Sequence, residues 1–318
     1  MKVVILDTGY ENYHYEKDLL HKNGYSLEIF DACKNNINEK LKISKDAVGL
    51  FVRWTNIDDA FLSQCPGLKV IIRYGAGYEN VDLDAATRAN VKVANVGGYG
   101  NHSVSDHALS LMYACARGLF QGVSILKNNF GKPPFTRMFE MHRKTLGIVG
   151  FGRIGGTLAT KAVHLFNHVL AYDPYIPDSR FTDLGVQKAT FDELLRNSDI
   201  ISLHCNLTDE TRNMIDKPAF EKMYKTPIIV NTSRGPVIET KALLDALDSE
   251  KVFMAGLDVY NSELPDEITD EILTHPRTIT TGHYAWYSEN SIAELQKRAA
   301  KNMVALLQGK EIEDLLNE

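Results

Sequence analysis

The sequence predicts an α/β protein built from two doubly wound parallel sheets, and three observations carry that prediction. Short β-branched runs alternate with helix-period segments along the whole chain, the rhythm of successive parallel βα units. The rhythm pauses once, at a long helical stretch from about His102 to Lys127, and then restarts, which calls for two sheets. After the restart, nearly every apolar run ends in a polar or otherwise special residue.

The first set of strands opens with "VVIL", a run that ends on Asp7 as a strand with an exposed end would. "AVGLFV", "LKVIIR" and "VKVANV" follow, separated by helix-period segments such as 82–90. The most apolar helix, "ALSLMYACARGLF", is interrupted by Arg117 and suits a buried core or a dimer face. The second set reads "TLGIVG", "HVLAYD", "DIISLHCN", "PIIVNTS", "VFMAGLD" and "TITTGH". These runs end in Gly150; Asp173; His204 with Asn206; Thr232 with Ser233 and Arg234; Asp258; and His283. Ligands of doubly wound sheets bind at the carboxyl ends of the strands, so these residues are expected to converge on one crevice. Polar residues surface at strand ends in any fold, but six strands in succession exceed that explanation.

The composition fits small-molecule chemistry. The chain has 318 residues, 44% apolar and 24% charged, enough for two cores without covalent staples. Its 35 basic and 41 acidic residues leave a net charge of −6, with no electrostatic footprint for nucleic acid or an anionic membrane. Cys33, Cys65, Cys115 and Cys205 lie far apart with no CxxC pair, and no secretory leader is recognised, so reduced thiols in the cytoplasm are expected. No run reaches the roughly 18 apolar residues of a membrane span. No metal is expected either: His102 and His107 are five apart on a helix, which separates their faces. GxSxG is absent and Ser233 has no evident base, which gives nucleophilic catalysis little support.

The segment "LGIVGFGRIGGTLATKAVHLF" holds GxGxxG at Gly150, Gly152 and Gly155, between an apolar strand and an amphipathic helix. GxGxxG alone is weak evidence. Here the next strand, "HVLAYD", completes a βαβ unit and places Asp173 23 positions after Gly150, the full dinucleotide fingerprint. The glycines let the backbone approach a pyrophosphate at the helix N-terminus. Asp173 would accept from the ribose hydroxyls and repel a 2′-phosphate, which favours NAD over NADP.

Three residue types that carbonyl reduction needs lie at separate strand ends. Arg234 is a fixed cation able to clamp a carboxylate and polarise the neighbouring carbonyl. His283 is a proton carrier, and Glu263 is a carboxylate able to fix its tautomer and raise its pKa. A histidine beside Tyr284, Trp286 and Tyr287 is, by itself, more often structural; its place at the end of a strand facing the dinucleotide crevice favours catalysis.

At these residues the chain resembles a known family, the D-isomer-specific 2-hydroxyacid dehydrogenases. The resemblance covers essentially the whole sequence through "RYGAGYENVDLDAA", "HSVSDHALSLMYACAR", "LGIVGFGRIG", "HCNLTDETRNMI", "VNTSRGPVI", "AGLDVYNSE" and "GHYAWYSE", in the family's order and spacing. It implies a Rossmann NAD-binding domain over 98–288, inserted in a flavodoxin-like substrate domain formed by 1–97 and 289–318, with substrate in the cleft. It implies that Arg234 orients the 2-oxo acid, that His283 exchanges the proton and that Glu263 pairs with it. Asp258 takes the nicotinamide side, and Val104, Arg153, Ile154, His204, Asn206, Thr211, Thr232 and Ser233 join the glycine motif and Asp173 along the cofactor; for His204 a structural role is an equal alternative.

The amides of Gly75, Ala76 and Gly77 resemble the loop that cradles the substrate carboxylate. Arg53 and Tyr99 occupy positions that touch substrate in some relatives, a surface arginine and a domain-joint tyrosine being the alternative readings. "HYAWYSE" is closest to the C-terminal binding protein branch, in which the tryptophan lines the pocket; Trp286 then suits a sizeable apolar side chain on the substrate, with packing at the domain joint as its alternative. The long helix after His102 is the dimer contact in relatives, which implies a homodimer.

Three positions depart from the family. Gly282 replaces a proline and so removes a local restraint on the histidine loop, Asn206 stands at a usual proline, and Asp106 at a usual glutamate. The reading is an NAD-dependent D-2-hydroxyacid dehydrogenase that reduces a 2-oxo acid, with an NAD(H)-sensing binding module of the C-terminal binding protein type as the alternative. Formate oxidation ranks low, because the formate enzymes carry glutamine where this chain has Glu263.

Overall fold

The computed structural model describes residues 1–30, 36–127, 137–261 and 267–317. They divide into two compact units, one formed by Met1–Gly100 with Ser288–Glu318, the other by Asn101–Tyr287.

The first unit carries five parallel strands, β1 (Lys2–Ile5), β2 (Ser26–Ile29), β3 (Ala47–Val52), β4 (Val70–Arg73) and β5 (Lys92–Ala94), in the order β2-β1-β3-β4-β5. The helices Asp59–Ser63 and Leu83–Arg88 start on side-chain caps: Asp58 accepts from Phe61 N–H, and Asp82 from Ala85 N–H, each at 2.9 Å. On one face the C-terminal helix Glu289–Leu307 lays Leu295, Ala299 and Met303 against Val3, Ile5, Phe51 and Ile72. That helix buries its apolar stripe on a sheet formed almost 200 residues earlier, because the chain returns only after the second unit is complete.

The second unit holds seven parallel strands: β6 (Thr145–Val149), β7 (His168–Tyr172), β8 (Gln187–Lys188), β9 (Ile200–Leu203), β10 (Ile228–Asn231), β11 (Met254–Leu257) and β12 (Thr278–Thr280). Their order is β12-β11-β10-β9-β6-β7-β8, so the winding reverses between β6 and β9. Both faces are covered, which explains the continuous apolar runs. Leu111, Met112 and Cys115 of the helix Asn101–Arg117 pack with Ile148, Ile228 and Met254 on one side. On the other, Leu194, Leu243 and Leu247 pack with Ile201, Ile229 and Ala255.

Four details differ from the sequence-based expectation. β2 and β8 were not anticipated: both are edge strands with mostly exposed residues, β8 only two residues long, so neither shows an apolar run. The helical stretch after His102 is two helices, Asn101–Arg117 and Leu119–Lys127, because Gly118 takes a left-handed conformation (φ 57°) that ends the first. Asp7 does not surface. It is 4% exposed, and one carboxylate oxygen accepts from the N–H groups of Arg53, Trp54 and Thr55 while the other accepts from Lys40 Nζ at 2.7 Å and Thr55 Oγ1 at 2.6 Å.

Candidate active site

All six strand-end groups singled out in the second set lie along the carboxyl edge of the seven-stranded sheet. In sheet order they run His283 (after β12), Asp258 (β11), Thr232 to Arg234 (β10), His204 (β9), Gly150 (β6) and Asp173 (β7).

At the winding reversal, the turn after β6 is built by its glycines. Gly150 has φ 88°, and a Cβ there would lie 2.5 Å from the Cys205 backbone nitrogen. A Cβ on Gly155 would lie 2.1 Å from the Gly150 carbonyl oxygen, so the helix Arg153–Ala162 starts against the strand end. A Cβ on Gly152 would meet nothing within 4 Å, and as N-cap this residue brings no side chain to the first amides of the helix. The Asp173 carboxylate accepts from Phe151 N–H at 2.8 Å and Tyr175 N–H at 3.0 Å, which ties the glycine turn to the end of β7.

Beside this turn, His204 shares a hydrogen through Nε2 with Ser202 Oγ at 2.8 Å, and burial pushes its pKa down to about 4. His204 Nδ1 and Thr232 Oγ1 are buried with no hydrogen-bond partner among the described residues. Two orphaned polar atoms, an uncapped helix start and an unfilled cradle fit a polar ligand laid along this edge, as a dinucleotide would be. Val104 is buried in the helix Asn101–Arg117, Arg153 and Asn206 are exposed, and Ile154 is half-buried in the first helical turn. Thr211 Oγ1 donates to the Asn206 carbonyl at 2.6 Å and shapes that loop.

Arg234 stands on a turn organised by Asn231, which the sequence reading did not single out. Asn231 Oδ1 accepts from Ser233 N–H and Ser233 Oγ, and its amide donates to the Arg234 carbonyl at 2.9 Å. The Ser233 hydroxyl therefore serves the turn. A guanidinium N–H of Arg234 donates to the Ser233 carbonyl at 2.8 Å.

Asp258 is 1% exposed. Its N–H donates to the Asn231 carbonyl, and its own carbonyl accepts from His283 N–H at 2.8 Å, linking β10, β11 and the histidine loop. The carboxylate takes Tyr284 N–H at 3.2 Å and Ala285 N–H at 2.8 Å. Asp258 thus supplies the restraint that Gly282 does not. His283 itself is exposed, with φ 55°, a left-handed backbone uncommon outside glycine. Trp286 is half-buried and its indole N–H donates to the His283 carbonyl at 3.0 Å. Glu263, the expected partner of His283, lies outside the described residues. His107, read only as an unpaired helix histidine, lies against Asp258, its Nε2 3.6 Å from Oδ1.

The remaining predicted residues belong to the first unit, again at strand ends. Gly75 has φ 127°, and a Cβ there would lie 2.0 Å from Arg73 Nη1 and 3.6 Å from the Tyr99 hydroxyl. The Gly75 carbonyl accepts from Val96 N–H, and the Ala76 carbonyl from the Asn95 side-chain amide; Gly77 is half-buried. Arg53 stacks its guanidinium 4.4 Å over the Trp54 ring and 5.3 Å over Tyr10. Arg73, not singled out in the sequence, donates to the Tyr74 carbonyl at 2.7 Å.

Comparison with known proteins follows the same lines. The family described as D-isomer specific 2-hydroxyacid dehydrogenase, NAD binding domain, matches residues 109–285. A hydroxypyruvate reductase of Thermotoga maritima is 37% identical over 84% of this chain and 86% of its own length. A D-3-phosphoglycerate dehydrogenase of Mycobacterium leprae is 37% identical over 86% of this chain, which spans 51% of that relative's length. Among solved structures, the D-lactate dehydrogenase from Aquifex aeolicus complexed with NAD and lactic acid superposes with a TM-score of 0.84 at 27% identity, covering 97% of this chain and 96% of its own. The parallel α/β architecture and the NAD-binding domain expected from the sequence are borne out.

Proposed function

Because the chain belongs to the D-isomer-specific 2-hydroxyacid dehydrogenase family, we propose that it is an NAD-dependent reductase of a 2-oxo acid, giving the D-2-hydroxy acid. One observation carries the reading: the left-handed, exposed His283 is held by Asp258 on the same sheet edge that ends in the glycine cradle. Backbone strain of this kind clusters at functional sites, and here it falls on a strand end of the cofactor edge.

The cradle of Gly150, Gly152 and Gly155, with Arg153, Ile154, Asp173, His204, Thr211 and Thr232, would hold NADH, which when bound supplies the hydride. Asp258 stands on the nicotinamide side in this proposal and steadies the His283 loop through the amides of Tyr284 and Ala285. Arg234 clamps the substrate carboxylate and draws electron density from the C2 carbonyl, which makes C2 a better hydride acceptor. Protonated His283 donates its proton to the carbonyl oxygen, and Glu263 favours the imidazolium beforehand. Gly75, Ala76 and Gly77 present amides to the carboxylate, with Arg53 and Tyr99 as side-chain contacts. Trp286 forms an apolar wall, which favours 2-oxo acids with a medium or large apolar side chain. The setting we propose is cytoplasmic, where Cys65, Cys115 and Cys205 stay as free thiols. A homodimer would cover Leu119, Phe120 and Val123, which are 55%, 60% and 52% exposed.

The test is NADH oxidation followed by absorbance against 2-oxo acids from glyoxylate and pyruvate to 4-methylthio-2-oxobutyrate, 2-oxoisocaproate and phenylpyruvate. Turnover that favours the larger acids and vanishes in His283→Ala with NADH binding intact is expected. A second reading, an NAD(H)-sensing module of the C-terminal binding protein type, draws on "HYAWYSE"; tight NADH binding with no turnover on any of these acids would replace the first reading by it.

A further inference from the structure

We propose that His107 is a positioning residue for His283: its Nε2–H donates to Thr281 and so fixes the loop that presents the acid/base imidazole. The proposal rests on the assignment of His283 above.

His107 lies in the helix Asn101–Arg117, 174 residues from Thr281, yet its Nε2 is 2.9 Å from Thr281 Oγ1. Thr281 Oγ1 in turn lies 2.5 Å from Asp258 Oδ1. A threonine hydroxyl has one hydrogen and two lone pairs, and that hydrogen goes to the Asp258 carboxylate. Only lone pairs remain toward the helix, so Nε2 of His107 must carry the hydrogen of the contact. Burial lowers the pKa of His107, against an opposing pull from Asp258, and the neutral Nε2–H tautomer satisfies both neighbours.

What this chain of bonds holds is the loop on both sides of His283. Ahead of the histidine, Thr281 N–H donates to the Leu257 carbonyl at 2.8 Å and the Thr281 carbonyl accepts from Tyr260 OH at 2.8 Å. Behind it, Tyr284 and Ala285 donate their N–H groups to the Asp258 carboxylate, and the Tyr284 ring meets His107 edge to face at 5.3 Å. The left-handed backbone of His283 is strained for a side chain with a Cβ, and it persists because its neighbours are fixed. Removing the His107 donor leaves Thr281 free to turn its hydroxyl away from Asp258, and the imidazole then loses its direction while the glycine cradle is untouched.

The experiment compares His107→Phe, which keeps a ring against Tyr284 without the donor, with His107→Gln, which keeps an N–H donor, and with Thr281→Val. Each is assayed for kcat and KM with NADH and the best 2-oxo acid, for NADH affinity by fluorescence, and for Tm. His107→Phe is expected to lower kcat about tenfold with NADH affinity unchanged. His107→Gln should lose less than about threefold, and His107→Phe combined with Thr281→Val should be no slower than Thr281→Val alone. A kcat within about twofold of wild type in folded His107→Phe, losses that multiply in the double variant, or a loss that appears in NADH affinity instead would each overturn the proposal. If His107→Phe does not fold, Thr281→Val decides by kcat and NADH affinity, with the same thresholds. Turnover that survives His283→Ala removes the underlying reading; turnover lost in His283→Ala but intact in His107→Phe removes this one alone.

Discussion

The backbone of Tyr260 occupies the place where a side chain on Gly235 would have to be: a Cβ there would lie 2.0 Å from both the carbonyl carbon and oxygen of Tyr260. Gly235 directly follows Arg234, and Tyr260 follows Asp258 by two residues, so this approach sets the arginine turn against the loop that holds His283. Gly235→Ala must push two backbones apart. The expected outcome is a kcat/KM for the 2-oxo acid lower by about 100-fold and a lower Tm, with NADH affinity much less affected. Steady-state kinetics beside calorimetry checks it, and an unchanged kcat/KM would disconnect the two loops.

Asp173 has two duties. Its carboxylate holds Phe151 and Tyr175 amides and, in the proposed complex, the ribose hydroxyls. Asp173→Asn keeps acceptor capacity and removes the charge, so the ratio of NADPH to NADH specificity should rise about tenfold or more. Asp173→Ala should in addition lower Tm, because both amides lose their acceptor. Discrimination against NADPH as strong as in the wild type in both variants would place the 2′-phosphate away from this residue.

The depressed pKa of His204, about 4 against an ordinary 6.5, ties stability to pH. The folded state resists the charge and the unfolded chain does not, so the unfolded state binds more protons between these values. Stability is therefore complete above about pH 6.5 and falls by up to about 3 kcal/mol as the pH drops toward 4. Urea unfolding across that window should show the slope, and His204→Gln should flatten it. A slope identical in both proteins would assign the acid sensitivity to other groups.

Among the described carboxylates of the first unit, Asp7 accepts the most hydrogen bonds. Burial raises its pKa, but hydrogen bonds from Lys40, Thr55 and the Thr55 and Arg53 amides outweigh that and leave it below the ordinary carboxylate value. The stability it contributes is present above about pH 4 and is lost as acid protonates it. Asp7→Ala strands a buried Lys40 and three amides, at a cost of about 3–5 kcal/mol in urea unfolding at neutral pH. A cost under about 1 kcal/mol would mean that Lys40 finds water instead.

Much of this molecule can be read along the chain. β-branched runs, helix periods and the spacing from Gly150 to Asp173 are relations between near neighbours, and they dictate parallel βα units and a dinucleotide turn whatever surrounds them. Even the row of strand-end residues follows, since parallel strands must all point their carboxyl ends one way. β2 and β8 escaped because edge strands lack the buried face that writes a pattern, and Gly118 because one left-handed residue leaves the flanking periodicity intact.

Partners far apart in sequence were decided by the fold alone. Nothing near Asp7 signals that amides 46 to 48 residues later will bury it. Nothing around His107 points to Thr281, 174 residues on. Nothing around Asp258 points to the Asn231 carbonyl or to the backbone of His283 until the order β12-β11-β10 makes them neighbours. The physical reason is one of range: hydrophobic period and backbone preference act over a few residues, whereas a buried hydrogen bond is completed only by whichever group the strand order brings within 3 Å or so. Local residue order sets which elements form and which chemical groups stand at their ends; strand order and burial set which of those groups meet and hold one another in place.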